Sequence, residues 1–465
     1  MKVISFILIS VLTTISLYAQ SKDYLGTWEG KLAVGTMNLR LVFHIQEKDS
    51  ALSASFDSPD QGARAIQFTR AAVNGNKVTL IFAPNNSQFE GSLNDQKTII
   101  VGTWTQGGQS IPLSVTKTDK VQGISRPQTP QPPFTYESVE VSFPGGDKDI
   151  ELSGTLTLPK GKGPFPALLL LTGSGPQNRN EEILEHVPFA VIADYFTKKG
   201  WAVLRYDDRG VGKSKGNFSM ATTKDFTKDA IQALEFLRKD SRINTKKIGL
   251  CGHSEGAIIA QQIAADGKSN PNFIIMLAGP AISGADILAL QNQALLQASG
   301  TDTALASWYA RYLRTEVYPT VMNNLPKEQV QNRLAEALDR MFTTFSEEEL
   351  KNLGINPTVV KAMMSQMTMP WLREFLQYDP QKTLQKIQCP VLALFGEKDL
   401  QVLPEINKKM LQKHCPKAQT EIVPKLNHLF QTADTGMPIE YGSIEETIAP
   451  AALNSIEKWL NSLPN

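Results

Sequence analysis

Five short, nearly uninterrupted apolar runs constrain the fold of this chain more than any other feature. They occupy residues 167–171, 202–206, 248–251, 273–277 and 391–395. A strand that is apolar on both faces needs cover on both faces, which is typical of a parallel sheet between two layers of helices. Helix-like segments at 189–199, 225–239 and 256–265 separate the runs. The sequence therefore predicts an α/β fold with a doubly wound, mostly parallel sheet.

The amino-terminal part of the chain has a different pattern. Between residues 20 and 118, apolar and polar residues alternate with period two, as at Leu39, Leu41 and Phe43. This alternation predicts antiparallel strands, and hence a small all-β, barrel-like domain. Such a barrel either binds a sugar or a lipid in its mouth or is filled by its own side chains, and the sequence leaves both open.

Two further segments organise the rest of the chain. Prolines concentrated in residues 119–134 predict an extended, semi-rigid linker. The α/β domain then covers residues 135–465, and its alternation of strands and helices stops at about 282–386. Helical sequence in that stretch predicts an inserted cap, with some of its aromatic and methionine residues overhanging the strand ends.

The first 19 residues have the features of a signal peptide. Lys2 precedes an apolar run, and small residues precede Gln20. A retained membrane anchor is the alternative, but the run is shorter than the ~20 residues of a spanning helix. We therefore expect export to the periplasm or the medium, without stable membrane insertion.

Charge and cysteine content argue against several kinds of partner. Lys and Arg total 47 against 46 for Asp and Glu, so we expect no nucleic-acid partner. The three cysteines, Cys251, Cys389 and Cys415, are too few for a disulfide framework and lack metal-site spacing. We expect no metal and no organic cofactor. Whether Cys389 and Cys415 form a disulfide is a question that the sequence leaves open.

The nucleophile is predicted from Gly252-His253-Ser254-Glu255-Gly256, a G-x-S-x-G motif between an apolar strand and a helical segment. The motif places a serine on a tight strand-to-helix turn, where its hydroxyl is accessible at the helix N-terminus. We therefore expect Ser254 to be the nucleophile. His253, its neighbour, should point away and be packed. The Glu255 side chain is either solvated or placed to repel carboxylate substrates.

A serine nucleophile needs a base and a carboxylate to orient that base. His428 follows the strand-like residues 420–423, and Asp399 follows the apolar run 391–395. The chain order serine, aspartate, histidine is that of α/β-hydrolases. We expect His428 to be the base and Asp399 its partner, with Glu397 as the rival carboxylate.

The oxyanion hole needs two N–H donors. One is the backbone N–H of Glu255, the residue after the nucleophile. The other is expected from the glycine-containing loop 172–180, where we assign Ser174, with Gly175 as the alternative. A phosphate-binding loop would also be rich in glycine, but the Gly-Lys-Ser/Thr ending is absent.

These motifs, together with 206–214, resemble those of bacterial α/β-hydrolases over residues 135–465. Within that superfamily the chain is similar to EstD-type carboxylesterases and to the serine-aminopeptidase-like, dienelactone-hydrolase-like group. That group's oxyanion loop opens with histidine, where this chain has Thr172. The resemblance implies a structural role for Asp207, Asp208 and Arg209.

We therefore expect a serine carboxylesterase that hydrolyses small or short-chain esters through an acyl-enzyme. A serine exopeptidase of the same fold is the alternative, with Glu255 as the candidate anchor for a substrate's amino terminus. A non-catalytic exported binding protein is a further alternative, against which the intact set of Ser254, Asp399 and His428 argues.

Overall fold

The computed structural model describes residues 22–34, 37–49, 51–106, 109–120, 125–323 and 325–464. The expected signal peptide, residues 1–19, lies outside these ranges. Within them, no helix is both long and apolar enough to cross a membrane.

The described residues form two compact units. The first contains the residues up to Ser125 together with 183–185 and 441–445, and the second contains the remainder. The division at Ser125 falls inside the predicted linker, whereas the two later segments of the first unit have no signal in the sequence.

The described part of the first unit is one antiparallel sheet of nine strands. Its strands are Gly26–Val34 (β1), Met37–Lys48 (β2), Ala51–Ser58 (β3), Ala63–Gln67 (β4), Arg70–Asn74 (β5), Lys77–Phe82 (β6), Ser87–Leu93 (β7), Ile99–Gln106 (β8) and Gln109–Thr118 (β9). Their order in the sheet is β4-β3-β2-β1-β9-β8-β7-β6-β5. The N–H of Phe68 donates to the carbonyl of Ala54 in β3, and the N–H of Thr69 donates to Ile81 in β6. These two bonds bring the ends of the sheet toward each other, which gives the barrel-like form.

Aromatic side chains fill the concave face of this sheet. Trp28, Phe43 and Phe89 are fully buried, and Phe56 and Trp104 nearly so. The ring centroids of Phe43 and Phe89 are 5.0 Å apart. Of the two expectations for the barrel, the structure shows the interior that is filled by its own side chains.

The second unit is built on a mixed sheet whose described strands number eight. They are Glu137–Pro144 (β10), Glu151–Leu158 (β11), Phe165–Leu171 (β12), Ala202–Tyr206 (β13), Ile243–His253 (β14), Phe273–Leu277 (β15), Val391–Gly396 (β16) and Gln419–Val423 (β17). Their order is β10-β11-β13-β12-β14-β15-β16-β17. The pairs β10/β11 and β11/β13 are antiparallel, and the strands from β13 to β17 run parallel. The predicted α/β fold with a mostly parallel sheet is thus confirmed.

Some helices of this unit cover the two faces of the sheet, and the others lie in the segment between β15 and β16. In chain order they are Pro188–Lys198 (α1), Thr223–Lys239 (α2), Glu255–Ala265 (α3), Gly284–Ala298 (α4), Thr303–Tyr312 (α5), Tyr318–Met322 (α6), Lys327–Asp339 (α7), Met341–Thr344 (α8), Glu347–Asn352 (α9), Pro357–Met367 (α10), Pro370–Gln377 (α11), Gln381–Lys386 (α12), Pro404–His414 (α13) and Pro450–Ser462 (α14). Helices α2, α3 and α13 bury apolar side chains on one face of the sheet, and α1 and α14 do so on the other.

Helices α4 to α12 follow β15 and precede β16, where the sequence predicts a cap. Most of them share a separate apolar core. A π-helical turn, Leu313–Val317, joins α5 to α6. The cap therefore has packing of its own and is not a loose loop.

The proline-rich segment after residue 125 differs from the expected spacer. The side-chain amide of Gln128 donates to the carbonyl of Ile448 at 2.8 Å, and its oxygen accepts the N–H of Thr447 at 2.6 Å. This part of the segment is therefore anchored by hydrogen bonds within the second unit.

Candidate active site

Ser254 lies on the turn between β14 and α3, with φ 52° and ψ −115°. This backbone conformation is strained for a residue with a side chain and is held by its surroundings, since the N–H of Ser254 donates to the carbonyl of Leu277 at 2.8 Å. A Cβ on Gly252 would lie 2.1 Å from the carbonyl oxygen of Gly256, and one on Gly256 would lie 2.0 Å from that of Leu171. The two glycines of the motif are thus required by close backbone contacts around the serine.

His428 and Asp399 form a buried pair at the ends of neighbouring parallel strands. Nδ1 of His428 is 2.8 Å from Oδ2 of Asp399. The other carboxylate oxygen of Asp399 accepts the N–H groups of Gln401 at 2.8 Å and Val402 at 2.9 Å. Both oxygens are therefore fixed, and the histidine ring is held in one orientation with its Nε2 left for another partner.

The rival carboxylate, Glu397, faces elsewhere. It is exposed, and its Oε2 accepts the N–H of Lys425 at 2.7 Å. Of the two candidates, Asp399 is the one that meets His428.

The loop after β12 is held by three buried carboxylates, each bound to one of three consecutive residues. The pairs are the hydroxyl of Thr172 with Asp208 at 2.8 Å, the N–H of Gly173 with Glu181 at 2.6 Å, and the side chain of Ser174 with Glu255. Thr172, which stands where the resembled group has histidine, is therefore anchored through its hydroxyl.

This arrangement shows which backbone N–H groups of the loop are already bound and which are candidates for the oxyanion hole. The N–H of Gly173 is taken by Glu181, which leaves Ser174 and Gly175 as candidates on this loop. Gly175 has φ +98°, a conformation that favours glycine. The N–H of Glu255 lies in the first turn of α3, where backbone donors have no partner within the helix.

The Glu255 side chain is neither solvated nor facing a substrate, which corrects both expectations for it. It is 2% exposed and accepts hydrogen bonds from the hydroxyl of Thr223 at 2.6 Å and the indole N–H of Trp371 at 2.8 Å. Burial raises its pKa above the ordinary value, and the bonds from Thr223, Trp371 and Ser174 partly oppose that rise. Because Trp371 belongs to α11, this carboxylate links the cap to the turn that carries Ser254.

His253 points away from the serine, as expected, and its buried partner is Glu181. Its Nδ1 is 3.0 Å from Oε1 of Glu181, and its Nε2 is 3.0 Å from the carbonyl oxygen of His428. Burial lowers the pKa of His253, but the charge and hydrogen bond of Glu181 outweigh that effect and raise it overall. The His253 ring therefore joins the turn that carries Ser254 to the loop that carries His428. The centroids of the His253 and His428 rings are 4.8 Å apart.

Sequence reasoning missed Glu181. Glu181 is buried, whereas the next residue, Glu182, is exposed. The sequence contains no pattern that distinguishes these two adjacent glutamates.

The charged residues after β13 have the structural role that the resemblance implies. Asp207 accepts two hydrogen bonds from the buried guanidinium of Arg179, at 2.8 and 3.1 Å. Arg209 binds both oxygens of Asp229 at 2.6 and 2.7 Å. Asp208, tied to Thr172, is so deeply buried that its pKa lies well above the ordinary value.

A cavity of about 670 Å³ lies between the loop after β12 and the cap. Ser174 and Gly175 border it on the loop side, and Tyr309, Met363 and Trp371 are among its walls in the cap. Some of the cap's aromatic and methionine residues therefore face the site, whereas Trp308 packs on Phe345 inside the cap.

Among the described residues, no cluster of histidine, cysteine and carboxylate side chains could hold a metal ion. Cys251, Cys389 and Cys415, which all lie in the described ranges, are unbridged. Burial raises the pKa of Cys389 to about 11, so its thiol is the prevailing form at neutral pH.

Comparison with known proteins identifies the family of the chain. Residues 185–432 match the family model described as serine aminopeptidase, S33. The chain is 25% identical to the esterase EstD of Thermotoga maritima over 334 residues, which cover 70% of this chain and 68% of the relative. It is also 26% identical over 261 residues to an uncharacterised 31.7 kDa protein of Escherichia coli, covering 55% of this chain and 80% of that protein.

The solved structures that the chain matches include an esterase and a peptidase. An esterase from Pyrococcus furiosus is 14% identical, with a TM-score of 0.38, and the match covers 70% of this chain and 90% of that one. A proline iminopeptidase from Mycobacterium smegmatis is 14% identical, with a TM-score of 0.42, and the match covers 70% of this chain and 98% of that one. Because the family match spans more than half of its 465 residues, the chain belongs to the serine aminopeptidase S33 family of α/β-hydrolases and is a serine hydrolase.

Proposed function

We propose that the protein is a carboxylic ester hydrolase that works through an acyl-enzyme on Ser254. The observation that carries the proposal is the buried bond of 2.8 Å between His428 Nδ1 and Asp399 Oδ2, formed beside a strained serine turn. Such a pair leaves Nε2 of the histidine free to accept the proton of a serine hydroxyl.

The reaction divides into two steps. Ser254 Oγ attacks the ester carbonyl while His428 takes its proton, and the same proton then passes to the alcohol, which leaves. Water, deprotonated by His428, attacks the acyl-enzyme and releases the carboxylic acid and free Ser254. In both steps the backbone N–H groups of Glu255 and of Ser174 or Gly175 stabilise the negative carbonyl oxygen.

Two observations favour esters over peptides. The relative in Thermotoga maritima is named an esterase. In addition, Glu255, the candidate anchor for a substrate's amino terminus, is 2% exposed and already accepts bonds from Thr223 and Trp371. A substrate ammonium group would have to displace these donors to reach it.

Aminopeptidase activity is the second candidate, because it is the activity that the family description names. The two are separated by comparing p-nitrophenyl acetate and butanoate with alanyl and prolyl p-nitroanilides at neutral pH, with Ser254→Ala as the background. We expect kcat/KM to be at least 100-fold higher for the esters. Anilides that are equal or better substrates would replace the esterase proposal with the peptidase.

We also propose that residues 1–19 are removed during export, so that the enzyme acts in the periplasm or outside the cell. Amino-terminal sequencing of the mature protein should then begin at Gln20.

A further inference from the structure

The cavity beside the oxyanion loop points to the kind of ester that the enzyme takes. We propose that it binds an uncharged hydrocarbon chain of about eight to twelve carbons that is joined to the scissile ester group. The inference rests on the proposed ester hydrolysis and goes beyond it, because the motifs by themselves predict only small or short-chain esters.

The position of the cavity connects it to the reacting carbonyl. Ser174 and Gly175, the loop candidates for the oxyanion hole, also border the cavity. A carbonyl oxygen bound by their N–H groups would therefore lie beside this space. A chain attached to that carbonyl, on its acyl or its alcohol side, could then extend along the cavity wall that the cap provides.

The volume of the cavity exceeds what a short chain can fill. A methylene group takes up about as much space as a water molecule in the liquid, roughly 30 Å³. A butanoyl chain would thus occupy about a sixth of the 670 Å³, and a decanoyl chain close to half. Unfilled apolar space contributes no contacts, so the longer chains gain most from binding here.

The chemistry of the walls selects an uncharged group. Among the described residues that line the cavity there is no aspartate, glutamate, lysine, arginine or histidine. Leu288, Leu296, Leu313, Met363 and Met367 are among its apolar lining residues, and the uncharged side chains of Asn292 and Gln366 also line it. An ion placed there would lose its hydration with no opposite charge in return, whereas a hydrocarbon chain would lose nothing polar.

Different parts of the cavity wall differ in how firmly they are held. The indole of Trp371 lines the cavity and donates its N–H to Glu255, the residue after Ser254. Met363 and Met367, which also line it, have flexible thioether side chains that adapt to chains of different length. The wall at Trp371 is thus fixed by a hydrogen bond, whereas the methionine wall can adjust.

The test measures chain-length dependence on both sides of the ester, with the full-length mature enzyme and substrates below their micellar concentrations. One series runs from p-nitrophenyl butanoate to decanoate, and the other from butyl to decyl acetate. Each buried methylene contributes up to roughly fourfold to kcat/KM, so four added methylenes allow a rise well above tenfold. We therefore expect kcat/KM to rise at least tenfold from four to eight carbons in one series. The series that rises identifies the acyl or the alcohol side, and flat or falling values in both overturn the inference.

Two neighbouring methionines provide a matched pair of variants. Met363 lines the cavity, whereas Met364, next to it on α10 and also half-buried, does not. We expect Met363→Trp to lower the octyl-to-butyl ratio of kcat/KM at least tenfold and Met364→Trp to leave it unchanged. Equal effects of the two variants would count against the cavity as the binding site.

A binding measurement separates failure of this inference from failure of the proposed function. Calorimetric titration should show that decan-1-ol binds the wild-type protein at least tenfold more tightly than butan-1-ol, and that Met363→Trp removes the difference. Ester hydrolysis without chain-length dependence would overturn the cavity assignment alone. Selective decan-1-ol binding without any ester hydrolysis would overturn the proposed function and leave the cavity assigned to an apolar chain.

Discussion

Oε1 of Glu181 lies 3.0 Å from Nδ1 of His253 and also accepts the N–H of Gly173 at 2.6 Å. One carboxylate oxygen thus connects the residue before Ser254 to the loop after β12. The carbonyl oxygen of His428 is bound by the other ring nitrogen of His253. A carbonyl and an ionised carboxylate only accept hydrogen bonds, so both bonds form together when the ring carries two protons.

This pair predicts a pH-dependent contribution to stability. Because the pKa of His253 is raised in the folded protein, the stabilisation is fully present below its unfolded value of about 6.5 and is lost as pH rises through the folded pKa. Glu181→Gln removes the charge that raises this pKa. We therefore expect the loss of unfolding free energy in Glu181→Gln to be larger at pH 6 than at pH 9, as measured by urea denaturation.

The adjacent Glu182 provides the control for this prediction. Glu182 is exposed and accepts a hydrogen bond from the nearby side chain of Asn178 at 3.0 Å. Glu182→Gln should leave the pH dependence of stability as in the wild type. A loss in Glu181→Gln that is the same at both pH values would show that His253 is not the group involved.

Ser254→Ala should abolish ester hydrolysis, with kcat reduced on the order of 10⁴-fold or more. Its unfolding free energy should stay within about 0.5 kcal/mol of the wild type, because Ser254 is only half-buried and its hydroxyl contributes little packing. Kinetics and thermal denaturation test the two statements. A fluorophosphonate should label Ser254 in the wild type, and labelling of another residue would identify a different nucleophile.

Asp399→Asn and Glu397→Gln form a matched pair for the carboxylate partner of His428. Loss of the charge beside Nδ1 should lower kcat about 10³- to 10⁴-fold, since the imidazole is then neither oriented nor stabilised when it takes up a proton. Glu397 is exposed and bonded to the backbone of Lys425, so its variant should retain kcat within a factor of three or so. The opposite ranking would exchange the roles of the two residues.

Thr172→Val tests whether the anchored oxyanion loop matters for catalysis. It removes the 2.8 Å bond to the buried Asp208, and we expect stability to fall by about 1–3 kcal/mol. We also expect kcat to fall at least tenfold with little change in KM, because the loop donors act mainly in the transition state.

Thr197→Val is the control for the loss of kcat that is expected in Thr172→Val. Its hydroxyl makes a buried bond of 2.6 Å to Thr157, away from the loop, so its removal should reduce stability while leaving kcat unchanged. Equal values of kcat in Thr172→Val and the wild type would show that the anchor is only structural.

The parts of the site that the sequence predicts are those with a local cause. Gly252 and Gly256 lie beside the serine because a side chain on either would collide with nearby backbone, and that requirement appears as a short motif. Asp399 is also predicted from a local pattern, because it comes just after an apolar strand. The sheet was predictable for a similar reason, since burial on both faces leaves continuous apolar runs.

The parts that the sequence does not predict depend on contacts between distant residues. Thr172 meets Asp208, and Glu255 meets Trp371 more than one hundred positions away. Nothing near any of these residues indicates the partner, since burial of a carboxylate depends on which other segments the fold brings against it. The partners of Glu181 likewise have no local signal in the sequence. Nor does the sequence indicate that residues 183–185 and 441–445 belong to the first unit.

The π-helical turn Leu313–Val317 gives the cap one residue more than a continuous α-helix would hold at that point. Leu313 and Tyr318, at its two sides, both line the cavity. Removing one exposed residue from this turn, such as Thr315, would therefore restore ordinary α-helical geometry and keep Leu313 and Tyr318 on the same side of the cap. A one-residue change within α5 would instead turn the side chains that follow by about 100° and take Tyr318 out of the wall. The turn is thus a place where the cap can change in length by one residue while the wall of the cavity is preserved.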